Sequence, residues 1–379
     1  MAQYFGQPDF QHGEVPAVGI LVANLGTPDA PTAPALYRYL REFLLDPRVI
    51  EMPRAFWWLI LHLFVLPFRP RKSAALYRKV WTEEGSPLLV ISKRQGEALE
   101  KLLRQEIGTP LHVAVGMRYG NPSIRSALRA LAATRCRRIL VLPLYPQYAA
   151  VTTGSTFDAV AAELQSWRWV PEIRTVHHYH DDPAYIRTLA ASIREAWEKG
   201  GQPEKLLFSF HGIPERYFHA GDPYFCECHK LARLTAEELQ LPQDRYQVSF
   251  QSLFGREEWL KPYTEQTIKA MAHAGIKTID VVCPGFSADC LETIEEIDEQ
   301  NREFFLHAGG ERYRYIPALN DRPDHIRVLA DLVRRNLTGW VESTASWSEE
   351  RAKGRAEASR ALAAAMTAEP ILVNAGYGR

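Results

Sequence analysis

Lys205-Leu-Leu-Phe-Ser-Phe-His-Gly-Ile-Pro-Glu-Arg216 is a short apolar run that stops at a histidine. Leu206 to Phe210 reads as a buried strand, and Gly212 and Pro214 punctuate the turn that follows. Six further runs, at 18–23, 113–117, 138–143, 174–177, 246–251 and 278–282, share this strand character. They alternate with helical patterns such as 182–199 and 264–274. Repeated βα units imply parallel sheets with helices on both faces, and there are too many for one tidy sheet. The expected fold is therefore α/β, with two Rossmann-like lobes and a ligand cleft between them. The lobes are placed at 17–165 and 166–337, after a loose extension at 1–16 and before an Ala-rich helical tail at 338–379, where Ser346 caps a helix at 351–366. In an open α/β sheet ligands bind outside the carboxyl ends of the strands, so His211 is a candidate active-site residue. A loop histidine without a role fits the same stretch.

The bulk numbers exclude several classes. The chain has 379 residues, is 46% hydrophobic and 24% charged, and balances 45 Lys+Arg against 45 Asp+Glu. A formal net charge of zero gives no field to draw it to nucleic acid. Five scattered cysteines and a start without a basic and apolar leader point to a cytoplasmic protein with reduced thiols. The turn Asn24-Leu-Gly-Thr-Pro28 ends the first strand, but no glycine-rich phosphate motif is present, so Rossmann-like architecture does not mean a dinucleotide here.

Residues 55–68, Ala-Phe-Trp-Trp-Leu-Ile-Leu-His-Leu-Phe-Val-Leu-Pro-Phe, are the most apolar segment. They fall short of the about 20 residues that span a bilayer. With two tryptophans, and with Arg69, Arg71 and Lys72 directly after, they read as a surface for lipid or a large apolar ligand, with plain core as the alternative. Near the other end of the chain, Val281-Val282 is a buried strand that stops at Pro284-Gly285, and a helix is expected from Ser287 or Ala288. Glu292 and Glu296 lie four residues apart on it, sharing a face with Asp289 and Glu299, and a π-type turn would align the first two more closely. A solvated acidic face is the bland reading. An imidazole facing a line of carboxylates suits divalent metal binding and proton removal.

Aromatic and small polar residues follow strands in four stretches: Met117-Arg-Tyr-Gly120, Tyr145-Pro-Gln-Tyr148 with Thr152-Thr-Gly-Ser155, and Gln251-Ser-Leu-Phe-Gly-Arg-Glu-Glu-Trp-Leu260. Converging from both lobes, they would suit a broad flat ligand. Cys226, Cys228 and His229, with His219 nearby, do not have the spacing of a standard zinc pair, and His177, His178 and His180 crowd a strand end. Neither cluster is taken as a metal site.

Together these stretches resemble the ferrochelatases, enzymes of haem synthesis that insert Fe²⁺ into a porphyrin. Ser209-Phe-His-Gly-Ile-Pro214 matches that family's histidine motif, and Cys283-Pro-Gly-Phe-Ser-Ala-Asp-Cys-Leu-Glu-Thr293 resembles its acidic-helix motif. Asn24 to Pro28, Gly85-Ser-Pro-Leu88 and the 117–119, 145–148 and 152–155 stretches are further landmarks in the same order. The resemblance implies protoporphyrin IX and Fe²⁺ as substrates, with His211 and Glu292 flanking the macrocycle as metal ligands and proton acceptors. Glu296 would extend an acidic path that Gln300 interrupts, and Tyr119, Trp259, Phe286, Arg118 and Ser155 would bind the porphyrin. Residues 55–68 would be the apolar lip, with peripheral membrane contact through 55–72 at the inner face of the cytoplasmic membrane. Some members of the family hold a [2Fe–2S] cluster. Ala149, Ala150 and Val151 stand where one of its ligands falls and no cysteine follows Cys290, so no cluster and no other tightly bound cofactor is expected. A monomer or weak homodimer is expected. A coproporphyrin-specific relative, another tetrapyrrole chelatase and a non-catalytic haem or porphyrin carrier are the alternatives.

Overall fold

A computed structural model describes residues 4–6, 14–253, 255 and 257–368. Phe254 and Arg256, most of the expected extension at 1–16 and the end of the tail at 369–379 lie outside the described residues. Eight strands form two all-parallel sheets. The first contains β1 (Ala17–Thr27), β2 (Leu111–Gly120), β3 (Cys136–Pro143) and β4 (Glu172–Thr175), in the order β2-β1-β3-β4. The second contains β5 (Lys205–His211), β6 (Tyr246–Gln251), β7 (Thr278–Val282) and β8 (Arg312–Ile316), in the order β6-β5-β7-β8. β1 and β5 are the inner strands next to the reversal of strand order. Both read as continuous apolar runs because helices cover both faces of a parallel sheet. Ile20 to Ala23 and Leu206 to Phe210 are accordingly almost wholly buried.

β4 pairs in register with β3, from Arg138 opposite Glu172 to Val141 opposite Thr175. The first sheet thus runs past the boundary expected before Ser166, since four residues of edge strand complete it after the helix Ser155–Leu164. In each sheet the chain reverses direction of travel between two neighbouring strands, β1 and β3 in one and β5 and β7 in the other. That is where a crevice opens at the carboxyl ends of the strands. His211 closes β5 beside one such crevice.

The two lobes share a core. One apolar cluster includes Ile20, Leu99 and Leu140 of the first lobe, Phe208 and Phe250 of the second, and Leu329 and Val333. The last two come from the helix Pro323–Asn336, which follows β8 in sequence yet packs on Pro87–Glu106 and β3. At the junction Gln95, wholly buried, donates through Nε2 to the carbonyls of Ser287 (3.0 Å) and Asn320 (2.9 Å). Asn320 in turn donates to Asp289 Oδ2 at 2.7 Å and accepts from the Asp289 N–H at 2.8 Å.

Gly26 shows why the turn after β1 needs glycine. Its φ is +111°, and a Cβ there would lie 1.8 Å from the Tyr119 carbonyl oxygen. The tail forms the helix Glu349–Ala368, with Ser348 rather than Ser346 accepting the Arg351 N–H at 3.2 Å. Ala352 and Ala356 pack under the amino ends of the first sheet beside a cavity of about 710 Å³ lined by Arg135, Arg138 and Trp340. That cavity is at the pole opposite the strand carboxyl ends, so the candidate site lies elsewhere.

Candidate active site

His211 is half-buried at the end of β5, and its Nδ1 lies 2.7 Å from the carbonyl oxygen of Gly212. A carbonyl only accepts, so Nδ1 carries the hydrogen and Nε2 presents a lone pair. The backbone around it is fixed. Tyr224 donates its hydroxyl to the His211 carbonyl at 2.9 Å, and the Gly212 N–H bonds the Gln251 carbonyl at 2.8 Å. The Leu260 N–H bonds the Ile213 carbonyl at 3.0 Å, which draws the Trp259 loop alongside and sets the Trp259 ring 6.3 Å from the imidazole.

The acidic helix begins later than expected. Residues 283–290 form an irregular loop, because Asp289 is pulled inward by Tyr315, Asn320 and Thr293, with Tyr315 donating at 2.6 Å. Asp289 is therefore a buried anchor and does not share the face of Glu292 and Glu296. From Glu292 to Gln300 the helix is π, closed by a bond from the Asn301 N–H to the Glu296 carbonyl five residues back. Glu299 leaves that face too, toward Lys79 at 3.5 Å, while the buried Glu295 holds Lys79 at 3.0 Å and Gln300 at 2.6 Å.

Glu296 accepts the Ser252 N–H at 2.8 Å and the Ser252 hydroxyl at 2.5 Å. Burial pushes its pKa above the ordinary carboxylate value, the Ser252 donors and His211 pull against that, and Glu292 adds to it. Glu296 thus sits within electrostatic reach of both His211 and Glu292. Ser252 has φ +66°, a left-handed backbone that costs a non-glycine residue about 1–2 kcal/mol. Its two bonds to Glu296 offset that cost. From the first lobe, Tyr39 and Tyr77 come close enough to Glu292 for its charge to raise their hydroxyl pKa beyond the effect of burial. Both hydroxyls stay neutral, and that of Tyr39 donates to the Gly26 carbonyl at 3.2 Å. Tyr39 lies on the helix Ala33–Leu44, and its approach to Glu292 has no local signal in the sequence.

Of the expected porphyrin-binding residues, Trp259 and Phe286 are half-buried and keep accessible surface. Tyr119 and Ser155 are wholly buried. Tyr119 donates to Asp46 Oδ2 at 2.8 Å, and Arg118 donates to Ser155 Oγ and to the same Asp46 oxygen, both at 2.5 Å. Burial pushes the Asp46 carboxyl up, but Ser155, Tyr119 and Arg118 outweigh it and hold the pKa below the usual value. Tyr119 and Ser155 therefore help to hold Arg118 and Asp46 in place. Asp46 lies just past the helix Ala33–Leu44, and no local signal in the sequence marks this role.

Residues 54–65 form the helix Arg54–Ile60 and the π-turn Leu61–Val65. Trp57, Leu61 and Leu66 are buried, while Phe56, Trp58, Leu59, Leu63, Phe64 and Phe68 are exposed. Among the described residues no helix is long and apolar enough to cross a membrane. Cys226 and Cys228 point apart on the helix Tyr224–Glu238, one exposed and the other buried, and His229 packs on Phe225 at 4.4 Å.

The family model described as Ferrochelatase matches residues 17–337. A curated ferrochelatase of Thioalkalivibrio sulfidiphilus is 56% identical over 367 residues, covering 97% of this chain and 100% of that protein. One of Nitrosococcus oceani is 54% identical over 364 residues, covering 96% and 99%. Among solved structures, the sirohydrochlorin chelatase SirB of Bacillus subtilis subspecies spizizenii, in complex with cobalt, superposes with a TM-score of 0.50 at 11% identity, over 86% of this chain and 97% of that one. It shares the two-lobed chelatase fold. With the family model spanning both lobes and relatives above half identity over nearly the whole length, this chain belongs to the ferrochelatase family, the porphyrin metal chelatases.

Proposed function

We propose that the protein inserts Fe²⁺ into protoporphyrin IX to make protohaem, with His211 and Glu292 acting on the reacting atoms. The observation that carries this reading is the His211 imidazole, whose Nε2 lone pair is left available by the Gly212 carbonyl, set within electrostatic reach of the acids of a π-helix. Insertion exchanges two pyrrole N–H protons for one divalent ion. His211 Nε2 accepts a proton or holds the ion, Glu292 takes the other proton, and Glu296, whose raised pKa lets it hold a proton nearer neutral pH, passes it on. Trp259 and Phe286 offer apolar surface to the ring. Fixed lobes favour a ring bent toward its metal-accepting shape, a use of binding for distortion.

The exposed apolar side chains of 54–68 and the basic residues Arg71 and Lys72 after them support a lip for a poorly soluble porphyrin and peripheral contact with the cytoplasmic face of a membrane. No resident [2Fe–2S] cluster is part of this reading, and cluster absorption in the porphyrin-free protein would overturn that. Zinc insertion into protoporphyrin and coproporphyrin, measured in parallel, tests the substrate. His211→Ala is expected to lower kcat by about 100-fold or more, and Glu292→Gln to lower kcat more than it raises KM. Near-normal insertion by His211→Ala would refute the role given to His211, and absence of insertion by the wild-type protein would leave a carrier as the better reading.

A further inference from the structure

A second set of metal-ligand side chains lies where the chain crosses between the lobes. After β4 ends at Thr175, the Tyr179 N–H bonds the Pro146 carbonyl at 2.8 Å and holds this crossover to the first lobe. Asp182 then caps the helix Pro183–Gly200 through the Ala184 N–H at 2.9 Å. Between these anchors, His178, His180 and Asp181 each offer one ligand atom, and the three atoms lie within 4.8 Å of one another. Glu227, on the helix Tyr224–Glu238 of the second lobe, sets Oε1 3.2 Å from His178 Nδ1 and Oε2 3.2 Å from His180 Nδ1. The Tyr148 N–H donates to Glu227 Oε2 at 2.7 Å, so the carboxylate is positioned from both lobes. Lys230 pairs with Asp181 Oδ2 at 2.6 Å.

A separate observation points to a ligand. His180 is only 3% exposed, yet its Nδ1 has no hydrogen-bond partner, despite the carboxylate oxygen 3.2 Å away. A buried polar atom left unpaired destabilises the fold. A cation bound by both the ring nitrogen and the carboxylate would remove that cost. Two imidazoles with two carboxylates form a donor set for a divalent ion of borderline softness, such as Zn²⁺, Co²⁺ or Fe²⁺.

We propose that His178, His180, Asp181 and Glu227 form a site for one such divalent cation, separate from His211 and Glu292, which ties the crossover to the helix Tyr224–Glu238. No spacing rule reveals it in sequence, because Glu227 comes from a distant element.

Co²⁺ is the probe, since its visible absorption reports ligation, and full-length His211→Ala protein free of porphyrin is the background, so that the result does not depend on the insertion site. That protein is expected to bind one Co²⁺ and to gain thermal stability from it. Adding Glu227→Gln should weaken Co²⁺ binding by about tenfold or more. Adding His178→Ala instead, at a side chain 42% exposed and outside the core, should do the same, and this variant carries the test if the Glu227 change impairs folding. Absence of Co²⁺ binding by the His211→Ala protein, or affinity unchanged by His178→Ala, would overturn the proposal.

Discussion

Glu296 concentrates the chemistry of the site in one carboxyl group. Its folded-state pKa is raised, chiefly by burial. Between the ordinary value of 4.5 and that raised value, the folded chain holds a proton the unfolded chain has released, so stability falls as pH rises through this window. Glu296→Gln keeps an acceptor for the Ser252 N–H and offers a donor to its hydroxyl, without the charge. The variant should match the wild-type melting temperature near pH 4, exceed it increasingly as pH rises through that window, and insert metal more slowly. Thermal melts across that range, with zinc insertion assays, check both halves; a variant that loses stability relative to wild type as pH rises would refute the account. His211 was legible in sequence because a strand end and a turn residue mark it locally. That Tyr119 and Ser155 meet a buried carboxylate was not legible, because Asp46 lies far away in sequence.

Two elements depart from ideal helices at functional places. The π-helix Glu292–Gln300 was anticipated as an acidic face, but its start shifted because Asp289 is consumed by partners from β8 and the loop after it. A periodic pattern cannot report such capture, since the competing donors come from another element. The lip segment was legible as strongly apolar, while the choice between core and surface depended on which ring each residue presents. The structure exposes six of its large side chains and buries Trp57, Leu61 and Leu66. Replacing Phe64 and Phe68 together by Asp should lower binding to vesicles containing anionic lipid by about tenfold or more, roughly 1.4 kcal/mol, with no change in melting temperature. Vesicle co-sedimentation measures this, and undiminished pelleting would remove the lip from any membrane contact.

At the scale of the whole molecule, the lobes are distinct as sheets but not as cores. The helix Pro323–Asn336 returns to the first lobe, and Gln95 bridges to Ser287 and Asn320. The chain should therefore unfold in one calorimetric transition, and Gln95→Ala should cost about 1–3 kcal/mol by removing two buried hydrogen bonds between the lobes while keeping the transition single. Two resolved peaks in the wild-type protein would show that the lobes fold independently. The sequence alone determined the βα alternation, the number of lobes, the histidine at a strand end and the acids four apart, because each depends on local periodicity or turn chemistry. Tertiary structure alone decided that β4 completes the first sheet, that Asp46 engages Tyr119, and that Tyr39, Tyr77 and Ser252 close on the acids. Those outcomes depend on which groups from distant elements meet in the dry interior, where unpaired polar atoms are costly and partners are chosen by proximity, not by sequence spacing.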